Sequence, residues 1–249
     1  MLASSRGYND IIKLLISYNA DINTIALNGD TSLIRATYKS HIEAINLLLD
    51  ANADINVGNI EGKTPLMAAC QRNSMEMVKC LCQRKEIQVD LQDNHGMTAL
   101  IYCACGGCND IVTFLLIKMK ANPYILDHFG LSSIMHACDK DHYDIVRIMI
   151  NHDVIIQKEI IDGLKELGKG DVAVEIEKDL IKHKIWKRRR NLIKVLSESY
   201  IIKNYNETIV DYEFRIKNAI NDIEIDDHFK LLINVFSDKK IIENIVAFI

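Results

Sequence analysis

The sequence predicts an all-α solenoid of stacked helix pairs joined by short turns, followed by a small C-terminal helical subdomain. Three observations predict it. A period of 33–34 residues runs through the first two-thirds of the chain: A-D-I-N ends at Asn23 and again at Asn56, and equivalent positions fall at Asp90 and Tyr124. Each period carries the same internal order. Gly stands two residues before Thr or Ser (Gly29/Thr31, Gly62/Thr64, Gly96/Thr98, Gly130/Ser132), Leu or Ile follows two positions later (Leu33, Leu66, Leu100, Ile134), and a small residue follows three beyond that (Ala36, Ala69, Cys103, Ala137). Each period then closes on an apolar helical run: I-N-L-L-L, M-V-K-C-L-C, I-V-T-F-L-L or I-V-R-I-M-I. A fixed period of this length marks supersecondary units that bury their apolar faces on one another. Such a stack argues for a surface that binds another macromolecule and against a catalytic pocket.

The local chemistry of one unit fits a turn followed by two antiparallel helices. Gly tolerates the positive φ of a tight turn. Thr or Ser caps the first helix by accepting from its free N–H groups, and Pro65 suits the first helical position after that cap. The small residue lets the paired helices approach, and the second helix turns its apolar face to the next unit.

Taken in order, residues 1–25 form a truncated first unit. Leu2–Ile16 reads as the end of a first helix plus a full second helix, without a turn of its own. Either this is a half-unit cap or the start is truncated or decayed. A solenoid needs a polar outer cap, and Ser4, Ser5 and Arg6 supply little of one, which favours truncation. Full units follow at about 26–58, 59–92, 93–126 and 127–156. Residues 157–184 read as a degenerate capping helix pair, with Ile161, Leu164 and Leu167 lining one helix and Val172, Ile176 and Leu180 the other. Residues 185–249 hold amphipathic stretches at helical spacing: Trp186, Leu192, Ile193, Leu196 and Tyr200; Phe229, Leu232, Ile233 and Phe236; Ile241, Ile242, Ile245, Val246 and Ile249. No proline interrupts them, because the chain has only Pro65 and Pro123.

Composition and charge narrow the function classes. Hydrophobic content is 49%, ample for a buried core. No apolar run reaches the roughly 18 residues that span a bilayer, and the N-terminus lacks the apolar core of a signal peptide. A cytoplasmic or nuclear location is expected, with no membrane partner, and seven cysteines without a secretory signal are expected to be reduced. Residues 157–249 hold 17 basic and 17 acidic residues, while 1–156 hold 13 basic and 17 acidic, so the whole net charge of −4 sits on the stack. An acidic stack argues against nucleic acid, which needs clustered positive charge, and favours a basic or amphipathic protein segment. A monomer is expected.

The segment G62-K-T-P-L-M-A-A69 resembles the ankyrin repeat, whose pattern is G-x-T-P-L-x-x-A. T-S-L-I-R-A, T-A-L-I-Y-C and S-S-I-M-H-A repeat it less fully at Thr31–Ala36, Thr98–Cys103 and Ser132–Ala137. The family's His after T-P-L is replaced by Ile34, Met67, Ile101 and Met135, which implies less rigid turns. The family's later G-H pair survives as Ser40-His41 and Asp141-His142, where the resemblance implies a hydrogen bond to a neighbouring loop. Asn23 and Asn56 hold a position that some ankyrin proteins present to asparaginyl hydroxylases. The tail, with W-K-R-R-R-N-L-I-K-V-L and a terminal I-I-E-N-I-V-A-F-I, is similar to tails that follow ankyrin arrays in some proteins of protists and large DNA viruses.

The resemblance implies a non-catalytic scaffold that binds a partner protein on its concave side, through variable turn tips and the inner helix face. In register, the tips are Leu27, Asn28 and Asp30; Ile60, Glu61 and Lys63; Asn94, His95 and Met97; His128, Phe129 and Leu131. The first helices add Arg35, Tyr38, Lys39, Gln71, Arg72, Tyr102, Asp139 and Lys140. His95 and His128 are expected to be exposed. The apolar tips Leu27, Ile60, Met97, Phe129 and Leu131 have no core to fill, unless adjacent fingers pack on each other. Some viral ankyrin proteins end in an F-box-like segment, so an alternative is a ubiquitin-ligase adaptor that recruits through the C-terminal helices. The expected L-P-x-E opening is missing, as no proline follows Pro123.

Other features fit structural readings. C80-x-C82 and C103-x-C105-x-x-C108 invite zinc. Yet Cys103 holds the small-residue position, Cys70 and Cys138 the next one, and Cys80 and Cys82 lie among second-helix apolar positions, so these read as packing residues. Lys187-Arg188-Arg189-Arg190 reads as a solvated face opposite the acidic stretch Glu207–Asp227, with nuclear import or nucleic-acid contact as the alternative. Cys105-Gly106-Gly107-Cys108 falls at the turn between paired helices. The sequence holds no G-x-x-x-x-G-K-[ST], G-x-G-x-x-G or H-E-x-x-H. No catalytic residue, cofactor, metal or small-molecule substrate is expected.

Overall fold

The computed structural model describes residues 1–156, 158–166, 168–184 and 187. The chain forms two compact units, Met1–Glu177 and Lys178–Ile249. The first is described below. The expectations for residues 185–249, the ligase-recruiting helices among them, lie outside the described residues, Lys187 excepted.

Five helix pairs follow in chain order: α1 (Leu2–Arg6) with α2 (Asn9–Ser17), α3 (Ser32–Tyr38) with α4 (Ile42–Asp50), α5 (Pro65–Gln71) with α6 (Met75–Cys82), α7 (Ala99–Cys105) with α8 (Asn109–Ile117), and α9 (Ser133–Asp139) with α10 (Tyr143–Asn151). Thr31, Thr64 and Thr98 start their helices as expected, their hydroxyls accepting from the N–H groups of Ile34, Met67 and Ile101. Pro65 is the first residue of α5. Each first helix is stopped by a residue in the left-handed region: Gly7, Ser40, Asn73, Gly107 and Asp141. The chain then turns, and the next N–H bonds back to the carbonyl of the small-residue column. His41 N–H reaches Ala36 at 3.0 Å, Ser74 N–H reaches Ala69 at 3.2 Å, Cys108 N–H reaches Cys103 at 3.0 Å, and His142 N–H reaches Ala137 at 2.8 Å. A larger side chain at these positions would stand where the paired helices cross.

Stacking is nearest-neighbour. Each first helix packs on the next first helix, and each second helix on the next second helix. The columns Ile45/Val78/Val112/Val146 and Leu48/Leu81/Leu115/Met149 are buried, each side chain contributing about 1.5–3 kcal/mol. In α2 the equivalents of buried neighbours, Ile11 and Leu15, face solvent. After the fifth pair come α11 (Lys158–Glu166) and a helical segment from residue 170. Ile160, Ile161, Leu164, Ala173 and Ile176 are buried there.

The residues that mark the period bolt consecutive units together. Asn23 Oδ1 accepts from Asp54 N–H at 2.8 Å, Asn56 Oδ1 from Gln88 N–H at 2.9 Å, Asp90 Oδ1 from Asn122 N–H at 3.0 Å, and Tyr124 Oη from Ile155 N–H at 3.0 Å. Asn23 and Asn56 also donate, to Asn52 O and Glu86 O. Their amides are therefore engaged on both sides. Asn56→Ala, which leaves Gln88 N–H and Glu86 O unpaired, is expected to destabilise by about 2 kcal/mol. Asn56→Asp, which keeps the acceptor as Asp90 does, should cost less. Urea midpoints of the two variants check the order.

Candidate protein-interaction face

The turns before the first helices are short fingers, closed on themselves and laid against the next finger. Within them, Asn59 N–H donates to Lys63 O and Gly62 N–H to Asn59 O, with the same pair of bonds at Ala26/Asp30, Asp93/Met97 and Asp127/Leu131. Between them, Ile60 N–H donates to Asn28 O, Asn94 N–H to Glu61 O and His128 N–H to His95 O. Neighbouring fingers thus meet through backbone.

Inside each finger a side chain braces the tip. Asn59 Oδ1 accepts from Glu61 and Lys63 N–H, Asp93 Oδ1 from His95 and Met97 N–H, and Asp127 Oδ1 from Phe129 and Leu131 N–H. The first finger has Ala26 at this position, and Asn28 and Asp30 bond each other instead, at 2.6 Å. The first helix then reaches forward to the brace. Arg35 lies 3.5 Å from the Asp30 carboxylate, Tyr102 Oη donates to Asp93 Oδ2 at 2.6 Å, and His136 Nε2 is 2.8 Å from Asp127 Oδ2. Desolvation pushes the Asp127 carboxyl up. The bonds from Leu131 N–H, the His136 ring and Phe129 N–H outweigh it and hold the group below the usual carboxylate range. Asp93, Asp127 and His136 were not legible as working residues from motif spacing. The available signal was an Asn or Asp three residues before each finger glycine at Asn59, Asp93 and Asp127.

The expected contact residues divide by what holds them. Leu27 is fully exposed, and Phe129 and Ile60 are 82% and 68% exposed. Asn28, Glu61, Asn94, His95 and His128 are also exposed, as are Lys39, Gln71, Arg72, Asp139 and Lys140. Arg35, Tyr38, Lys63, Met97, Tyr102 and Leu131 are half-buried. Asp30 is buried and braces its finger. Lys63 pairs with Glu61 at 2.8 Å and stands 5.7 Å from the Tyr102 ring centroid. The Glu61 bond raises the Lys63 pKa, and burial followed by the bond to Asp93 raises that of Tyr102. Both groups therefore keep their protons at neutral pH.

His41 Nε2 lies 3.2 Å from Ser5 O, and His142 Nε2 lies 3.0 Å from Cys105 O, each reaching the preceding unit's turn. Cys70, Cys80, Cys103, Cys108 and Cys138 are buried. Burial pushes Cys82 up to about 12 and Cys105 and Cys138 to about 11, whereas the bond with Cys103 holds the Cys108 thiol below its ordinary value. Among the described residues no three His, Cys, Asp or Glu side chains gather as a metal-holding group, and no helix is long and apolar enough to cross a membrane.

A family model described as ankyrin repeats, in three copies, matches residues 1–59 and 53–127. The chain is similar to the Caenorhabditis elegans protein named Ankyrin repeat and KH domain-containing protein mask-1, with 31% identity over 152 residues. That match covers 60% of this chain and 6% of the relative, so the chain spans a small fraction of that protein's length.

Proposed function

The chain belongs to the ankyrin-repeat family, and we propose that it is a non-catalytic scaffold that holds a partner protein against its fingers and first helices. The family generally mediates protein–protein interaction. Which face this member uses is read from one observation: Leu27, Ile60 and Phe129 carry large apolar side chains into solvent on fingers whose backbones are fixed. Fixing the backbone beforehand lowers the ordering cost of association. Exposed aromatic and aliphatic anchors on such a frame are the side chains that dominate interface energetics.

Leu27→Ser, Ile60→Ser and Phe129→Ser combined should weaken a captured partner at least about tenfold. The fold should be retained, because these side chains fill no core. The measurement is binding of the affinity-captured partner to the full chain and to the variant. Equal binding by a variant with an unchanged helical circular dichroism spectrum would remove the finger face from the reading.

A further inference from the structure

Charge on the stack is segregated by register, and the −4 total hides this. The position just before the left-handed turn residue reads Arg6, Lys39, Arg72, Gly106 and Lys140 through the five units. The second position of each second helix reads Asp10, Glu43, Glu76, Asp110 and Asp144. Both columns suit their helix ends, with acids in the first turn of one helix and bases at the end of the other. The two columns differ in what else they do. Several of the acids are engaged: Glu43 accepts from Asn9 and pairs with Lys13 at 3.3 Å, and Asp144 pairs with Arg147 at 3.6 Å. Arg6, Lys39 and Arg72 are exposed and make no ion pair with any described residue. Lys140, by contrast, is paired with Asp139 at 3.0 Å. These three cations form a row across the first three units, at the end of the first helices away from the fingers.

We propose that this row binds an acidic protein segment in polyproline II conformation, with Asp or Glu at every third position. The proposal rests on the scaffold reading and names the chemistry of its partner. The match is one of spacing. Packed helix axes lie about 8–10 Å apart, which sets the pitch of the cations. A polyproline II chain returns to the same face every three residues with a rise of about 3.1 Å each, so its acids recur about every 9 Å on one side. A β-strand alternates faces at that interval and would present only every second acid. Exposed Tyr8, two residues beyond Arg6, offers an aromatic surface of the kind that such segments pack on. A nucleic-acid backbone fits less well, because its closely spaced phosphates need a larger cluster of positive charge than a row of three cations.

The probe is a labelled peptide of four Pro-Pro-Glu repeats, titrated with the full chain by fluorescence anisotropy at low salt. An isomer of the same composition with its acids contiguous, and an oligothymidylate of similar length, are titrated alongside. The repeat peptide is expected to bind several-fold tighter than its isomer and to weaken as salt rises. Arg6→Gln/Lys39→Gln/Arg72→Gln should weaken it about tenfold, as three exposed ion pairs would. The charge-conserving set Arg6→Lys/Lys39→Arg/Arg72→Lys should bind as the parent does. If the Gln variant loses helical circular dichroism, Arg72→Gln alone is read instead, at a loss of about twofold. The proposal is overturned by equal binding of the Gln variant, by equal binding of the isomer, or by an oligothymidylate that binds tighter and is lost in the same variant. A captured partner that is lost by the finger variants but kept by the Gln variant would remove this proposal and leave the scaffold standing. A partner kept by both would remove this proposal and the finger face together.

Discussion

Gly62→Ala is expected to cost about 3 kcal/mol of unfolding free energy, and Gly130→Ala only about 1–2 kcal/mol, although both glycines hold the same place in their fingers. Their φ angles are nearly identical, +78° and +79°. The left-handed region costs an L-residue about 1–2 kcal/mol at either position. The difference lies in the next finger. A Cβ on Gly62 would stand 2.7 Å from Asn94 Oδ1, 2.9 Å from Asn94 N and 3.0 Å from Asp93 Cα, while a Cβ on Gly130 meets nothing within 4 Å. To accommodate the methyl group, finger three must move. It is tied to finger two by Asn94 N–H to Glu61 O at 2.9 Å and by Asn94 Nδ2 to Ile60 O at 2.8 Å. Losing such bonds costs about 0.5–1.5 kcal/mol each. Urea unfolding of the two variants beside the parent checks this. Equal losses would mean that finger-to-finger contact adds nothing to the strain of the turn.

The parts of this fold that were legible are those written in local backbone chemistry. Gly62 two residues before Thr64, Pro65 after it and an apolar run beyond state a turn, a cap and a helix wherever they occur, and four copies in register state a stack. The inter-unit bolts were visible only as a rhythm. Asn23, Asn56, Asp90 and Tyr124 announce the period, yet each accepts from a backbone N–H about a unit away, and a backbone donor carries no residue identity to be read. The finger braces were half visible. Asn59, Asp93 and Asp127 stand three residues before their glycines, but Ala26 interrupts the column, and the first finger substitutes Asn28 and Asp30. Asp30 therefore reads as a tip residue by position, while its burial and its bonds make it part of the frame. The net charge carries no such placement: register sorts Arg6, Lys39 and Arg72 onto one set of helix ends and Asp10, Glu43 and Glu76 onto the other.

Asp127→Ala should destabilise the stack by about 3 kcal/mol, and Asp127→Asn by about 1 kcal/mol. The carboxylate is 6% exposed and accepts three bonds, from Phe129 N–H at 2.9 Å, Leu131 N–H at 2.9 Å and the His136 ring at 2.8 Å. Alanine strands these donors, at about 1–3 kcal/mol for each one that water does not reach. Asparagine keeps an oxygen that can serve both backbone donors, as Asn59 does for Glu61 and Lys63 N–H at 3.0 Å each, and loses the charge and the acceptor that faces the His136 ring. The size of that loss depends on pH, and its sign follows from the pKa. Desolvation alone would raise the Asp127 pKa, but the three bonds bring it below its ordinary value. An Asp in the unfolded chain titrates near ~3.9. A carboxylate held lower in the folded state contributes its full stabilisation above that value and loses it as pH falls through the folded pKa. The stability gap between the parent and Asp127→Asn should therefore be full at about pH 6 and close in acid, below about pH 4. A gap that stays level to about pH 3, or widens there, would mean that the ionised carboxylate is not what holds the fourth finger to its helix.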